Sequence, residues 1–359
     1  MTGRIEKKFE MELYNLGKVP WEDSQLIYHA LAKLGRESLC LLSPATPYVC
    51  IGYHQDVSQE VDLEFCRNQG IPVFRREVGG GAVFLDGKQL FFQVVIHRDN
   101  PLAIKRIAAF YNQFLKPVIE VHRRIGIATE YKPVNDLVVE NRKISGTGAG
   151  EIGECIVFVG NLILDFDYEM MSRVLKIPDE KFRDKVKKTI KENLTTIGRE
   201  LEEQDNKKWD ERILNTMMVE EFGKLLGPLR PAQIEGALRN KIEELKLLMN
   251  NEAWLLQKGK RVSGRIVKVR SGLEVIYREY KAQGGLLRAE FLLVEGKIAD
   301  VSISGDFFCF PVDTVARLEK TIEGTDVNDL KCILTKFYSD GNFEFPGVMI
   351  TDWENLFKV

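Results

Sequence analysis

A chain of 359 residues is long enough to bury a full core and to divide into a large and a small domain. With 44% hydrophobic and 29% charged residues it falls among soluble globular proteins rather than disordered or membrane-embedded ones. A net charge of -2 gives no basic footprint for nucleic acid, and six cysteines without a C-x-x-C pair, beside four histidines without ligand spacing, set aside a disulfide framework and a structural zinc.

The first twenty residues carry Glu6, Lys7, Lys8, Glu10 and Glu12 with no apolar run, and nothing elsewhere approaches the ~18 to 20 apolar residues of a membrane span. The chain therefore reads as cytoplasmic. Asp23 to Leu34 has helical periodicity, and Pro47 to Tyr53 and Pro72 to Glu77 read as short strands bounded by turn residues. Asp86-Gly87 is a turn leading into a strand over Leu90 to Ile96. Ala103 to Ile125 reads as one helix of about six turns, with Ile107, Phe110, Phe114, Val118 and Val121 on one face.

Asp136 to Val139 and Arg142 to Ser145 form two strands around Glu140-Asn141, a two-residue turn in which Asn141 tolerates positive φ. Regular alternation puts Asp136, Val138, Lys143 and Ser145 on one face, with Asp136 and Lys143 diagonal neighbours about 7 to 8 Å apart at their backbones. Opposite charges at that spacing leave room for a phosphate or a metal ion. Cys155 to Phe166 reads as a further strand and Tyr168 to Leu175 as a short helix. Asp179 to Met249 is charged and helical, broken at Gly227-Pro228 and Arg230-Pro231. After Trp254 come strands over Gly264 to Tyr280, Gly285 to Val294 and Lys297 to Ile303, then helices around Val312 to Glu319 and Val327 to Phe337. This is a small α+β unit, and the expected domains are residues 1–250 and 251–359.

Two segments carry chemistry. Arg76-Glu77-Val78-Gly79-Gly80-Gly81-Ala82-Val83-Phe84 places three glycines between apolar runs, where backbone N–H groups can cradle an anion and Arg76 can supply a charge-assisted partner. The plain alternative is a flexible loop. Lys143 opens Lys143-Ile144-Ser145-Gly146-Thr147-Gly148-Ala149-Gly150, a second glycine-rich segment suited to an anion. A lysine beside a turn is ordinarily just solvated, and only its shared face with Asp136 and Ser145 singles it out. His54 and His97 read as structural histidines, Cys155 as a buried structural thiol.

Together the two segments, with Lys143 following Gly81 by 62 residues and Asn135-Asp136 leading into its hairpin, resemble the lipoate-protein ligase family. The resemblance extends to Ile51-Gly52-Tyr53-His54-Gln55 and Gly160-Asn161-Leu162-Ile163-Leu164-Asp165 and covers most of residues 20 to 200. The unit with Gly296-Lys297-Ile298-Ala299-Asp300-Val301 and Gly305-Asp306-Phe307-Phe308 looks like the accessory domain of longer members. The resemblance implies an α+β fold: a mixed-sheet catalytic domain like the biotin/lipoate ligase core, plus a small α+β accessory domain. It implies ATP-dependent activation of lipoate to lipoyl-AMP and transfer to a lysine of a lipoyl domain of 2-oxoacid dehydrogenase complexes or of the glycine cleavage H protein. Arg76, Gly79, Gly80, Gly81, Ala82, Val83 and Phe84 would surround the nucleotide and acyl phosphate, with Asn135 beside them. Lys143 would contact the lipoyl carbonyl and the phosphate, and Asp136 would hold magnesium. ATP and lipoate are co-substrate and substrate, and no permanently bound cofactor is expected.

The chain has Phe158 and Val159 where many members carry a histidine, Thr147-Gly148-Ala149-Gly150-Glu151 where a bulky polar residue and an arginine are common, and Val78 where a serine is common. Two alternatives stand beside the ligase: an octanoyltransferase of the cysteine-dependent branch, which would need Cys155, and a non-catalytic protein that binds lipoyl domains.

Overall fold

Gln89–His97 is buried along all but its last residue, and a strand apolar on both faces is satisfied only in the middle of a covered sheet. The computed structural model, which describes residues 11–104, 106–177, 180–201, 210–258, 267–270 and 273–358, places it there. Two compact units alternate along the chain: the described parts of residues 1–47, 85–169 and 184–247 form the first, and those of 48–84, 170–183 and 248–359 form the second. Both combine strands and helices, and the larger sheet is mixed, as the sequence led us to expect.

In the first unit eight strands lie in the order Leu229–Pro231, Met11–Val19, Ser38–Pro44, Gln89–His97, Cys155–Ile163, Arg142–Ile152, Asp136–Val139 and Glu130–Lys132. The first three run parallel, and every later pairing is antiparallel. The helix Asp23–Lys33 buries Ser24 through Ala32 against this sheet. Where one long helix was expected over 103–125 there are two, Ile107–Phe114 and Lys116–Arg124. The break falls at Leu115, because Pro117 in the first turn of the second helix has no N–H to continue the ladder and its ring crowds the preceding turn. Phe158 sits among the rings of Phe92, Phe110, Tyr111 and Phe114, at centroid distances of 5.7, 6.0, 5.9 and 5.6 Å. Phe158 is thus a core aromatic.

The second unit holds an antiparallel meander, Val267–Arg270, Leu273–Ala282, Gly285–Val294 and Lys297–Gly305. Within 264–280, where one strand was expected, Val267–Arg270 pairs antiparallel with the strand that begins at Leu273, and residues 264–266 and 271–272 lie outside the described residues. Helices Thr314–Ile322, Leu330–Asp340 and Ile350–Leu356 accompany the meander, and Trp353, Phe307, Phe345 and Leu318 lie in their common core. A smaller sheet, Val73–Arg75, Tyr48–Ile51 and Val83–Leu85, has its own core with Val49, Ile51, Val57 and Phe84. Arg75 is 0% exposed. Its guanidinium donates to the carbonyls of Tyr53 at 2.8 Å, Gln55 at 2.6 Å, Gly52 at 3.2 Å and Leu255 at 2.6 Å, while Trp254 Nε1 donates to the Arg75 carbonyl at 2.9 Å. Burial lowers the Arg75 guanidinium to about 10, opposed by nearby Asp56. One side chain thereby ties the loop 52–55 to the segment 254–255.

His54 lies on that loop, stacked on Phe307 at 5.2 Å and edge-on to Tyr53 at 5.2 Å. Neither ring nitrogen has a hydrogen-bond partner among the described residues. Burial, reinforced by Lys258 and Arg75, pushes its imidazole down to about 3, and burial pushes His122 down to about 4. His54 is structural, but it is an unsatisfied structural histidine. Among the described residues no helix is long and apolar enough to cross a membrane, and all six cysteines are unpaired.

Two consequences can be measured. Phe158→Ala removes a ring enclosed on all sides and is expected to cost about 3 to 5 kcal/mol, read as a lowered denaturant midpoint. For His54 the folded state resists the proton that the unfolded chain accepts below its ordinary 6.5, so stability is full above pH 6.5 and falls as pH drops toward about 3. Between pH 7 and 4.5, His54→Phe should therefore lose roughly 2 to 3 kcal/mol less stability than wild type in urea denaturation. Equal losses in the two proteins would show that His54 does not resist protonation in the fold.

Candidate active site

The predicted site residues fall into two groups, one in each unit: Asn135, Asp136 and Lys143 in the first, Arg76 and Gly79 to Phe84 in the second. The hairpin of the first group turns at Glu140 and Asn141, with φ of 48° and 66°, the positive pair that a tight two-residue turn requires. Val139 faces Arg142 and Val138 faces Lys143 as expected. The register then shifts, so that Leu137 faces Ser145 and Asp136 faces Gly146. This one-residue bulge at Ile144, which plain alternation cannot foresee, re-aims the side chains beyond it. Lys143 and Asp136 do not stand apart with room for an ion between them: Nζ lies 2.6 Å from Oδ1. Both side chains are about a third exposed, at 32% and 31%. On its other side the Lys143 backbone is fixed by Leu194 and Thr195, the Thr195 N–H donating to the Lys143 carbonyl at 2.8 Å.

Asn135 does not reach into open space. Its amide donates to the Thr147 carbonyl and the Thr147 hydroxyl donates back to the Asn135 carbonyl, which locks the entry of the hairpin onto the next strand. The second glycine-rich segment is a strand rather than an anion loop: Gly150 and Gly148 face Val157 and Val159 in the ladder, and Thr147 faces Gly160. Beyond Thr147 the ladder gives way to side chains. Gly146 N–H donates to Asn161 Oδ1 at 3.1 Å, Asn161 Nδ2 donates to Gln89 Oε1 at 2.7 Å, and Ser145 Oγ donates to the Asn161 carbonyl at 2.6 Å. Sequence reading noticed Asn161 only as part of a motif and missed Gln89. A period-two pattern assigns faces but not cross-strand amide pairs.

In the second group, Arg76 caps its own loop, donating to the Gly79 carbonyl at 2.7 Å and the Gly81 carbonyl at 3.0 Å. Gly80, at φ 88°, donates its N–H to the Phe307 carbonyl at 3.2 Å. A Cβ on Gly79 would meet that carbonyl oxygen at 2.7 Å, and one on Gly80 would meet the Phe308 ring at 2.9 Å. Ala82 packs on the small core that contains Phe84, and Val83 opens the strand Val83–Leu85.

A magnesium ion uses few protein ligands, one or two carboxylates beside phosphate and water; the Asp136 carboxylate is part exposed, and one of its oxygens, Oδ1, is engaged by the Lys143 ammonium. Among the described residues no three acidic, histidine or cysteine side chains cluster as a metal cage. A cleft of about 400 Å³ near the hairpin turn is lined by Glu130, Glu140 and Glu200 with Asn141 and apolar neighbours, a lining of the wrong sign for phosphate. Cys155 is 1% exposed, and burial pushes its thiol up to about 11.

The chain is 26% identical over 320 residues to lipoate-protein ligase 1 of Staphylococcus aureus, covering 88% of this chain and 84% of that protein. It is 27% identical over 175 residues to octanoyltransferase LipM of Geobacillus kaustophilus, covering 42% of this chain and 63% of that one. Among solved structures it is similar to the bi-partite lipoate protein ligase of Thermoplasma acidophilum, studied with its E2 lipoyl domain, with a TM-score of 0.62 at 25% identity over 71% of this chain and 100% of that one. The family described as lipoyl protein ligase A/B catalytic domain matches residues 19–218, more than half of the 359, and the chain belongs to that family.

Proposed function

We propose that this enzyme ligates lipoate to a lysine of a lipoyl-carrier domain with ATP, through lipoyl-AMP. The observation that carries the reading is the Lys143 ammonium, held on a fixed strand, partly exposed and 2.6 Å from Asp136, within the region that matches the family. In the first step a carboxylate oxygen of lipoate attacks the α-phosphorus of ATP and pyrophosphate leaves. Negative charge gathers on the oxygens around the phosphorus, and a positioned ammonium with backbone donors stabilises it. In the second step the acceptor amine attacks the acyl carbon of the mixed anhydride and AMP leaves, with Lys143 polarising the carbonyl. Arg76 and Gly79 to Phe84 are assigned to the nucleotide and acyl phosphate by resemblance, as is Asn135 beside Asp136. Magnesium, when bound, would neutralise the departing pyrophosphate, with Asp136 as its carboxylate.

The solved Thermoplasma relative was studied with an E2 lipoyl domain, which supports lipoyl domains of 2-oxoacid dehydrogenase complexes as acceptors here. The glycine cleavage H protein is the second acceptor we would assay. Similarity to an octanoyltransferase motivates an acyl transfer without ATP as the rival reading. That route needs an accessible thiolate, and a thiol buried at the start of a strand and raised to about 11 is a poor one.

Lys143→Ala is expected to lower lipoate-dependent exchange of labelled pyrophosphate into ATP on the order of a hundredfold or more, with an unchanged circular dichroism spectrum. Wild-type exchange in that variant would remove Lys143 from the mechanism. Cys155→Ser should keep its exchange activity. A wild-type protein without exchange but with octanoyl transfer from an acyl carrier, abolished by Cys155→Ser, would establish the rival.

A further inference from the structure

The Lys143 side chain folds back over its own strand. A Cβ placed on Gly146 would lie 3.0 Å from Lys143 Cε and 3.2 Å from Nζ, with Asn161 Oδ1 next at 3.9 Å. Carbon atoms in contact settle about 3.5 to 4.0 Å apart, so the tip of the lysine occupies the space a methyl group would need. Backbone freedom is not the reason for this glycine, since its φ lies outside the left-handed region that disfavours other residues. The glycine makes room for an ammonium.

The Gly146 peptide is itself held. Its N–H is taken by Asn161 Oδ1, and the bond from Asn161 Nδ2 to Gln89 Oε1 settles which end of the amide faces the glycine. Gly146 also stands opposite Asp136 in the hairpin register, so its position helps set the separation of carboxylate and lysine.

We propose that Gly146 is a positioning residue for Lys143: its missing side chain lets the ammonium rest over the strand against Asp136, and the Gln89–Asn161 amide pair fixes the peptide beneath it. The catalytic meaning rests on the assignment of Lys143 to adenylation, whereas the placement of the ammonium does not. The test separates the two. Acetylation of the full chain by N-hydroxysuccinimidyl acetate, mapped by peptide mass spectrometry without ATP or lipoate, reads how well Lys143 is covered. Asp136→Asn, which uncovers the amine from the other side, sets the scale.

In Gly146→Ala we expect Lys143 to acetylate several-fold faster than in wild type, with other lysines and the thermal midpoint unchanged. Pyrophosphate exchange should fall roughly tenfold, because a displacement below 1 Å suffices for a loss of that order. Asn161→Leu, which removes the acceptor for the Gly146 N–H and the donor to Gln89, should accelerate Lys143 in the same way. An unchanged Lys143 rate in Gly146→Ala overturns the proposal. So does a general rise across lysines with a lowered midpoint, which marks a merely structural glycine, and so does faster labelling with wild-type exchange. Wild-type protein that labels as expected but exchanges no pyrophosphate supports the placement and sinks the adenylation reading instead.

Discussion

The strand Arg142–Ile152 must serve two partners, and the geometry of the lysine site follows from where it leaves one for the other. From Ile152 to Thr147 it is laddered to Cys155–Ile163, and from Gly146 to Arg142 to Asp136–Val139. At the changeover the backbone groups need substitutes, because an unpaired buried N–H or carbonyl costs about as much as a lost hydrogen bond. The Asn161 amide, the Ser145 hydroxyl and the reciprocal Asn135–Thr147 pair supply them. The bulge at Ile144 then turns Ser145 away from the face that Asp136 and Lys143 share, and on that face the ammonium meets the carboxylate. Groups that look like a binding constellation are in part a repair of the ladder, and that repair fixes the lysine.

The triple glycine is likewise set by packing. A Cβ on Gly52 would lie 1.9 Å from the Gly80 carbonyl oxygen, so two backbones cross where no side chain fits. On the other side Gly79 and Gly80 lie against Phe307 and Phe308, and the Gly80 N–H already has an acceptor. A run of glycines in a sequence says that space is short without saying what fills it: an anion and a neighbouring carbonyl make the same demand on the backbone. The adjacent arginines show a related limit. Arg75 is entirely buried and holds four carbonyls together, whereas Arg76 caps its own loop. The residue types are identical, and the difference lies in which face of Val73–Arg75 meets a neighbour.

Elements with strong local rules were legible. The turn at Glu140-Asn141, the buried strand through Phe91 and Phe92 and the meander after Leu273 follow from turn chemistry and apolar pattern, and they stand close to where those signals place them. What was not legible depends on contacts between residues far apart in the chain. The bulge that re-aims Ser145, the amide pair of Gln89 and Asn161 across 72 residues, and the association of residues 48–84 with the carboxy-terminal core leave no periodic trace. Pro117 breaks the helix although the apolar face continues on either side of it.

A lysine paired with a carboxylate raises the question of whether it is available for an anionic substrate, and magnitudes answer it. A pair about a third exposed on both sides is screened by water and is worth about 0 to 1 kcal/mol, unlike a buried pair whose rupture costs about 3 to 5. A phosphoryl group carries more charge than one carboxylate and brings several acceptor oxygens, so exchanging Asp136 for it is a small step uphill at most. The pairing then has a use. It keeps a long, flexible side chain in one orientation before substrate arrives, removing rotamer entropy that would otherwise oppose binding, about 1.5 to 2 kcal/mol for a lysine. A fully buried partner would hold the ammonium too tightly for exchange, and full exposure would leave it unoriented. On the proposed assignment of Lys143, the intermediate burial of the pair would serve the chemistry, because it would let one contact orient the cation and still release it.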